Sequence, residues 1–183
     1  SAASACSSTE EPDIDHGGLQ IGGSDHTGET FVDWSGPGAE AAMNPGPQGC
    51  CHVWISLRSP ELASGSAKVS LEMRLDDIDQ RVDPGILKVN TTLKANPAPP
   101  HRYGLPGFID CPCTVRDRPV RAIATVTDSQ GKTLSAQATF TPRLGIECTG
   151  ADDDDPFCIY CPKYEQAPKL ADRCQAQRAP ASP

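Results

Sequence analysis

Cysteine and histidine are the residues of this chain with the most chemical reach, and their spacing narrows what that chemistry is. Nine cysteines and four histidines occur among 183 residues. A nucleophilic site needs a base beside the nucleophile and a group that orients the base. The histidines, His16, His26, His52 and His101, accompany no Gly-x-Ser-x-Gly elbow and no His-Glu-x-x-His pair. Cys51 and His52 are neighbours, but adjacent side chains of a strand diverge to opposite faces. No residue is therefore assigned a catalytic role, no cofactor is expected, and the chain is read as a non-enzyme.

Metal and redox chemistry have their own candidates. A metal-handling protein could use His52 with His16 or His26 for copper or zinc. Oxygen ligands for calcium could come from Asp76, Asp77 and Asp79 or from the run at 152–155. Neither acidic stretch follows the D-x-[DN]-x-[DN]-G pattern of an EF-hand, and a charge run is usually a solvated loop. No metal ligand is assigned. Cys158-Ile159-Tyr160-Cys161 has the spacing of a thiol–disulfide couple, which normally opens a helix of a βαβ unit. Here it follows four aspartates and Pro156, so a structural bridge is the expectation and a redox protein the alternative. Asn90-Thr91-Thr92 is a glycosylation acceptor by pattern, with meaning only in a eukaryotic source.

So many thiols suit an oxidising compartment, where they pair. Cys111-Pro112-Cys113 and the adjacent Cys50 and Cys51 do not fit a zinc ribbon. Setting Cys6 aside leaves eight, Cys50, Cys51, Cys111, Cys113, Cys148, Cys158, Cys161 and Cys174, an even set for bridges. About a hundred connectivities are open to eight cysteines. Cys50 and Cys51 point to opposite faces of one strand and should take different partners. The expectation is that these two pair with Cys111 and Cys113, and that the last four close among themselves.

Cys6 follows Ala3-Ser4-Ala5 and leads into a polar run. This resembles the lipobox of bacterial lipoproteins, with Ala3 where leucine is usual, and implies a lipid anchor at Cys6. The expected address is the cell envelope: exported, periplasmic or at the outer membrane and cell surface, held to the membrane by lipid alone. No stretch approaches the roughly 20 apolar residues of a spanning helix.

The elements that would carry these residues are mostly strands. Gly and Pro together contribute 34 residues (16 and 18), which suits short strands joined by turns. Cys51, Val53, Ile55 and Leu57 alternate with His52, Trp54, Ser56 and Arg58, predicting one buried and one exposed face. The same period recurs at 68–75, 120–127 and 134–141, with a tight turn at Asp128-Ser129-Gln130-Gly131 between the last two. A strand over 86–94 follows the turn Asp83-Pro84-Gly85, and Leu19-Gln20-Ile21 reads as a weak edge strand. The predicted fold is mostly β, an antiparallel immunoglobulin/fibronectin-like β-sandwich with a disulfide-stapled, largely irregular C-terminal tail. The organisation is a tether at 1–17, the sandwich at 18–143 and a cysteine-rich extension at 144–183. One short helix is expected at 163–177.

The net charge of −8 argues against a nucleic-acid reader, since phosphate binding needs clustered Lys and Arg. The segments Thr27-Gly28-Glu29-Thr30-Phe31-Val32 and Gly46-Pro47-Gln48-Gly49-Cys50-Cys51-His52-Val53-Trp54, with Arg58, resemble predicted envelope lipoproteins of high-GC Gram-negative bacteria. The chain departs from that group at Cys50, where glycine is usual, and in its cysteine-rich tail. The resemblance implies an immunoglobulin-like domain over 27–142 and leaves the role unassigned. The expected function is a binding or structural module, an accessory subunit of a larger assembly with a protein partner in the envelope.

Overall fold

The structure, a computed structural model, describes residues 18–45, 51–96 and 98–144. Nine strands and one short helical turn account for most of them: β1 (Gln20–Gly23), β2 (Val32–Asp33), β3 (Glu40–Pro45), β4 (Cys51–Arg58), β5 (Gly65–Leu75), β6 (Gln80–Leu93), β7 (His101–Ile109), α1 (Pro112–Val115), β8 (Val120–Thr127) and β9 (Thr133–Leu144). The protein is mostly β, as its period-2 patterning predicts. Among the described residues no helix is long and apolar enough to cross a membrane.

The hydrogen-bonded path runs β2-β1-β4-β3-β9-β8-β5-β6, with β7 on β4. β1 and β3 pair with different stretches of β4: Gln20 lies opposite Arg58, and Asn44 opposite His52. The pairing is not wholly antiparallel, because β3 runs parallel to β9 from Glu40 opposite Thr141 to Met43 opposite Leu144. Alternation along a strand records which face is buried but not the direction of its neighbour, so this departure lay outside what patterning can predict.

The core assembles where the alternating faces meet. Val69, Leu71, Met73 and Leu75 of β5 and Val120, Ala122, Ala124 and Val126 of β8 are all buried. Each such side chain contributes about 1.5–3 kcal/mol when a large aliphatic group leaves water. β7 lies over β5 without pairing to it. A Cβ added at Gly107 would stand 2.8 Å from Ile55 Cδ1 and 2.9 Å from Met73 Sδ, so glycine sets how closely the two strands approach. Trp34 stacks on Phe140 of β9, with ring centroids 4.2 Å apart and planes 18° from parallel.

Two local expectations change. Leu19-Gln20-Ile21 does not form an edge; β1 sits between β2 and β4. The turn at Asp83-Pro84-Gly85 falls inside β6, where Arg81 faces Arg74 and Ile86 faces Glu72. Residues 82–85 therefore bulge from the ladder, and Asp83 O accepts a hydrogen bond from Asp110 N. The turn at Asp128 is as expected. Asp128 Oδ1 accepts from Gln130 N and Lys132 N, and its Oδ2 accepts from Ala63 N, tying the hairpin to the β4–β5 connection. Those three donors hold the carboxylate below the usual aspartate range, the Ala63 amide foremost.

The helix expected at 163–177 lies outside the described residues, as do the tether at 1–17 and nearly all of the extension.

Candidate functional site

The second face of β4 departs furthest from expectation. His52, Trp54, Ser56 and Arg58 should face water, yet His52 is 3% exposed and Ser56 0%. The β1–β2 connection, residues 24–31, folds across Trp54, Ser56 and Arg58 of this face. Its shape is set by short-range polar contacts: Asp25 Oδ1 accepts from Thr27 N and Thr27 Oγ1, and Gly28 N donates to Asp25 O. The Thr27 hydroxyl is the largest influence holding the Asp25 carboxyl below its usual range. Ser56 Oγ then donates to Thr30 O at 3.1 Å, and the Arg58 guanidinium lies 3.9 Å over the Phe31 ring.

β7 meets this connection at a bulge. Ile55 pairs with Leu105 and Leu57 with Arg102, so Ser56 alone faces both Tyr103 and Gly104. Gly104 has φ +66°, and a Cβ there would collide with the carbonyl oxygen of Gly28. Bulges re-aim side chains. In a regular strand His101, Arg102 and Tyr103 would alternate between faces, but here all three line one cleft. The β6–β7 connection closes its far side, where Lys94 and His101 exchange backbone hydrogen bonds of 2.9 and 2.8 Å.

The cleft has a volume of about 820 Å³, within the roughly 300–1,000 Å³ of small-molecule sites. Trp54 forms part of its wall, half-buried, and His101 stacks on Tyr103 at 4.2 Å. His101 Nδ1 donates to Pro99 O at 2.8 Å. Two cations, Lys94 and Arg102, and one carboxylate, Glu29, also line it. Arg102 Nη1 donates to Tyr103 O, while its buried Nε has no partner. Among the described residues neither Lys94 nor Arg102 forms an ion pair, whereas Arg74, Arg81, Arg118, Arg121 and Arg143 all do. A second hollow of about 590 Å³ beside Trp34 and Phe140 has no cation in its walls.

The residues singled out in the sequence for metal chemistry lie elsewhere. His52 packs edge-on against Trp54 at 4.2 Å, its Nε2 without a partner, and burial lowers its basicity. His26 is exposed on the connection, and His16 lies outside the described residues. The aspartates at the β5–β6 turn are held by arginines: Asp76 by Arg121 at 3.1 Å, Asp77 by Arg118 at 2.8 Å, and Asp79 by Arg121 at 2.6 Å and Arg74 at 2.9 Å. Arg118 also reaches Thr114 O of α1. Among the described residues no three His, Cys, Asp or Glu side chains are placed to hold a metal ion. Asn90 is exposed on β6.

Cys111, fully buried at the start of α1, is disulfide-bonded. Cys51 is buried, and its side chain points into the core with Val53 and Ile55. Cys113 lies on α1. Cys6, Cys50, Cys148, Cys158, Cys161 and Cys174, and the acidic run at 152–155, lie outside the described residues.

Lys94, Asn96, Arg102 and Tyr103 went unmarked in the sequence. Their signal was slight: Tyr103-Gly104 is a glycine inside a strand, a common mark of a bulge. Thr27, Gly28 and Glu29 from one of the two segments that carry the lipoprotein resemblance stand across the cleft from Trp54 of the other.

No protein-family model matches the chain, and no curated protein matches it. Among solved structures it is similar to part of a β-glucuronidase of Bacteroides uniformis, at 17% identity and a TM-score of 0.30. It is similar also to the calcium-binding mutant D341A D367A of Bacteroides uniformis β-glucuronidase 2, at 16% identity and a TM-score of 0.30. In both cases the likeness covers 67% of this chain and 12% of the enzyme, so the chain spans about an eighth of those proteins' length.

Proposed function

We propose that this chain is a non-enzymatic binding module of the cell envelope, built on an immunoglobulin/fibronectin-like β-sandwich and exported with a lipid anchor at Cys6. The observation that carries the binding role is the cleft over β4. It gathers Trp54, Tyr103, His101, Lys94 and Arg102 on a scaffold of paired strands, the mixture of apolar wall and few convergent polar groups that small-molecule sites use. Its polar equipment suits recognition more than bond-breaking, since the lining holds a single carboxylate, Glu29.

The sandwich is supported by Gly107 of β7 packing on Met73 of β5, two strands that share no hydrogen bonds. The address is supported by the Cys111 bridge, because disulfides persist in oxidising compartments. A protein partner in the envelope would place the module in a larger assembly.

Two measurements test this reading. The intact, unreduced mass of the native protein should show acyl chains on Cys6 and paired cysteines; a lipid-free chain with mostly free thiols would overturn the address. A screen of saccharides, peptides and lipid headgroups against the NMR resonances of the cleft should find a class that moves them. Silence of the cleft toward every class would overturn the binding role.

A further inference from the structure

We propose that the ligand of this cleft is an acidic saccharide, a sugar ring carrying a carboxylate or a phosphate. The inference rests on the binding role just given and specifies the chemical class. Its first ground is charge. The chain as a whole carries −8, yet this cleft carries two cations against one carboxylate. Five other arginines of the described residues are answered by carboxylates; Arg102, like Arg58 and Arg116, forms no ion pair among the described residues, and its buried Nε, like that of Arg121, lacks any acceptor. An uncompensated, half-buried guanidinium is costly, and an anionic ligand that accepts its hydrogen bonds removes that cost.

The second ground is the rest of the lining. Trp54, Tyr103 and His101 supply ring surfaces for the apolar side of a sugar, and Thr27, Glu29 and Asn96 supply donors and acceptors suited to hydroxyl groups. A purely apolar ligand would leave those polar groups unanswered. A nucleic-acid strand would ask for more than two cations. An acidic sugar uses both halves of the lining at once, its ring on the aromatic wall and its anion on Lys94 and Arg102.

The test titrates the full chain with digalacturonate, glucose 6-phosphate and cellobiose, following the Trp54 indole and the β7 amides by NMR. The carboxylated probe, the phosphorylated probe, or both should shift these resonances, at least tenfold more tightly than neutral cellobiose. Which one does so identifies the source of the anion. Arg102→Gln should weaken that binding at least tenfold while leaving the amide spectrum of β5 and β8 unchanged, and Lys94→Gln should weaken it less. Raising the salt concentration should weaken the acidic probes and leave cellobiose unaffected.

Equal binding of cellobiose, or full affinity in Arg102→Gln, would overturn the acidic class while the binding role stood. If none of the three sugars moved the cleft but a peptide or lipid headgroup did, the saccharide class would be wrong. Only silence toward every class would reach the binding role itself.

Discussion

Gly104 of β7 crosses Gly28 of the β1–β2 connection so closely that a Cβ on Gly104 would lie 3.1 Å from Gly28 Cα and inside the contact distance of its carbonyl oxygen. Both residues have positive φ, +66° and +73°. The crossing is what folds the connection over β4 and leaves the cleft beside it.

Replacing Gly104 by alanine combines a strained backbone with an overlap that neither segment can relieve without moving. The expected loss is about 2–4 kcal/mol of stability. Denaturant unfolding measures it, and loss of the cleft amide pattern by NMR should accompany it. A Gly104→Ala protein as stable as the parent would show that the two backbones can separate freely.

His52 gives a pH dependence of defined sign. Burial depresses its pKa below the ordinary 6.5, so the unfolded chain takes up a proton before the folded one does. The neutral ring's contribution is fully present above pH 6.5 and is lost as the pH falls through the lower, folded value. Thermal midpoints of the parent should drop by a few degrees across that window, and the drop should be smaller in His52→Leu.

Asp128 acts at lower pH and in the same direction. Its folded pKa is held below the ordinary 3.8 by the Ala63, Lys132 and Gln130 amides, so its contribution is present above that value and fades as the carboxylate is protonated. Asp128→Asn keeps an acceptor for the turn but sets an amide donor against Ala63 N. The variant should melt lower than the parent at pH 7, and the gap should narrow as the pH falls below 3.8.

The Cys111 bridge should matter to the whole domain, since Cys111 is buried where β7 runs into α1. Cys111→Ser, or reduction of the parent, should cost about 2–5 kcal/mol. Peptide mapping of the unreduced protein names the partner cysteine.

What the residues determined by themselves was local. The alternations over 68–75 and 120–127 became β5 and β8 with the expected inward faces, because a strand's period of two depends only on its own side chains. The Asp128 turn was legible for the same reason, its bonds spanning four residues at most apart from the Ala63 link. The pairing of β3 with β9, the place of β1 inside the sheet and the burial of His52 and Ser56 were decided only by tertiary structure. Each depends on which distant segment arrives alongside, and period carries no such information.

The cleft shows this division most plainly. Trp54 and Thr27 stood in marked segments, but Lys94, Arg102 and Tyr103 drew no attention, since a lone lysine, arginine or tyrosine in a chain is unremarkable. Their meaning comes from a bulge opposite Ser56 and a contact between two glycines 76 positions apart in the chain (28 and 104). Local sequence sets which way a strand's side chains point, whereas a cleft needs the long-range approach of backbones, and that approach exists only once the chain has folded.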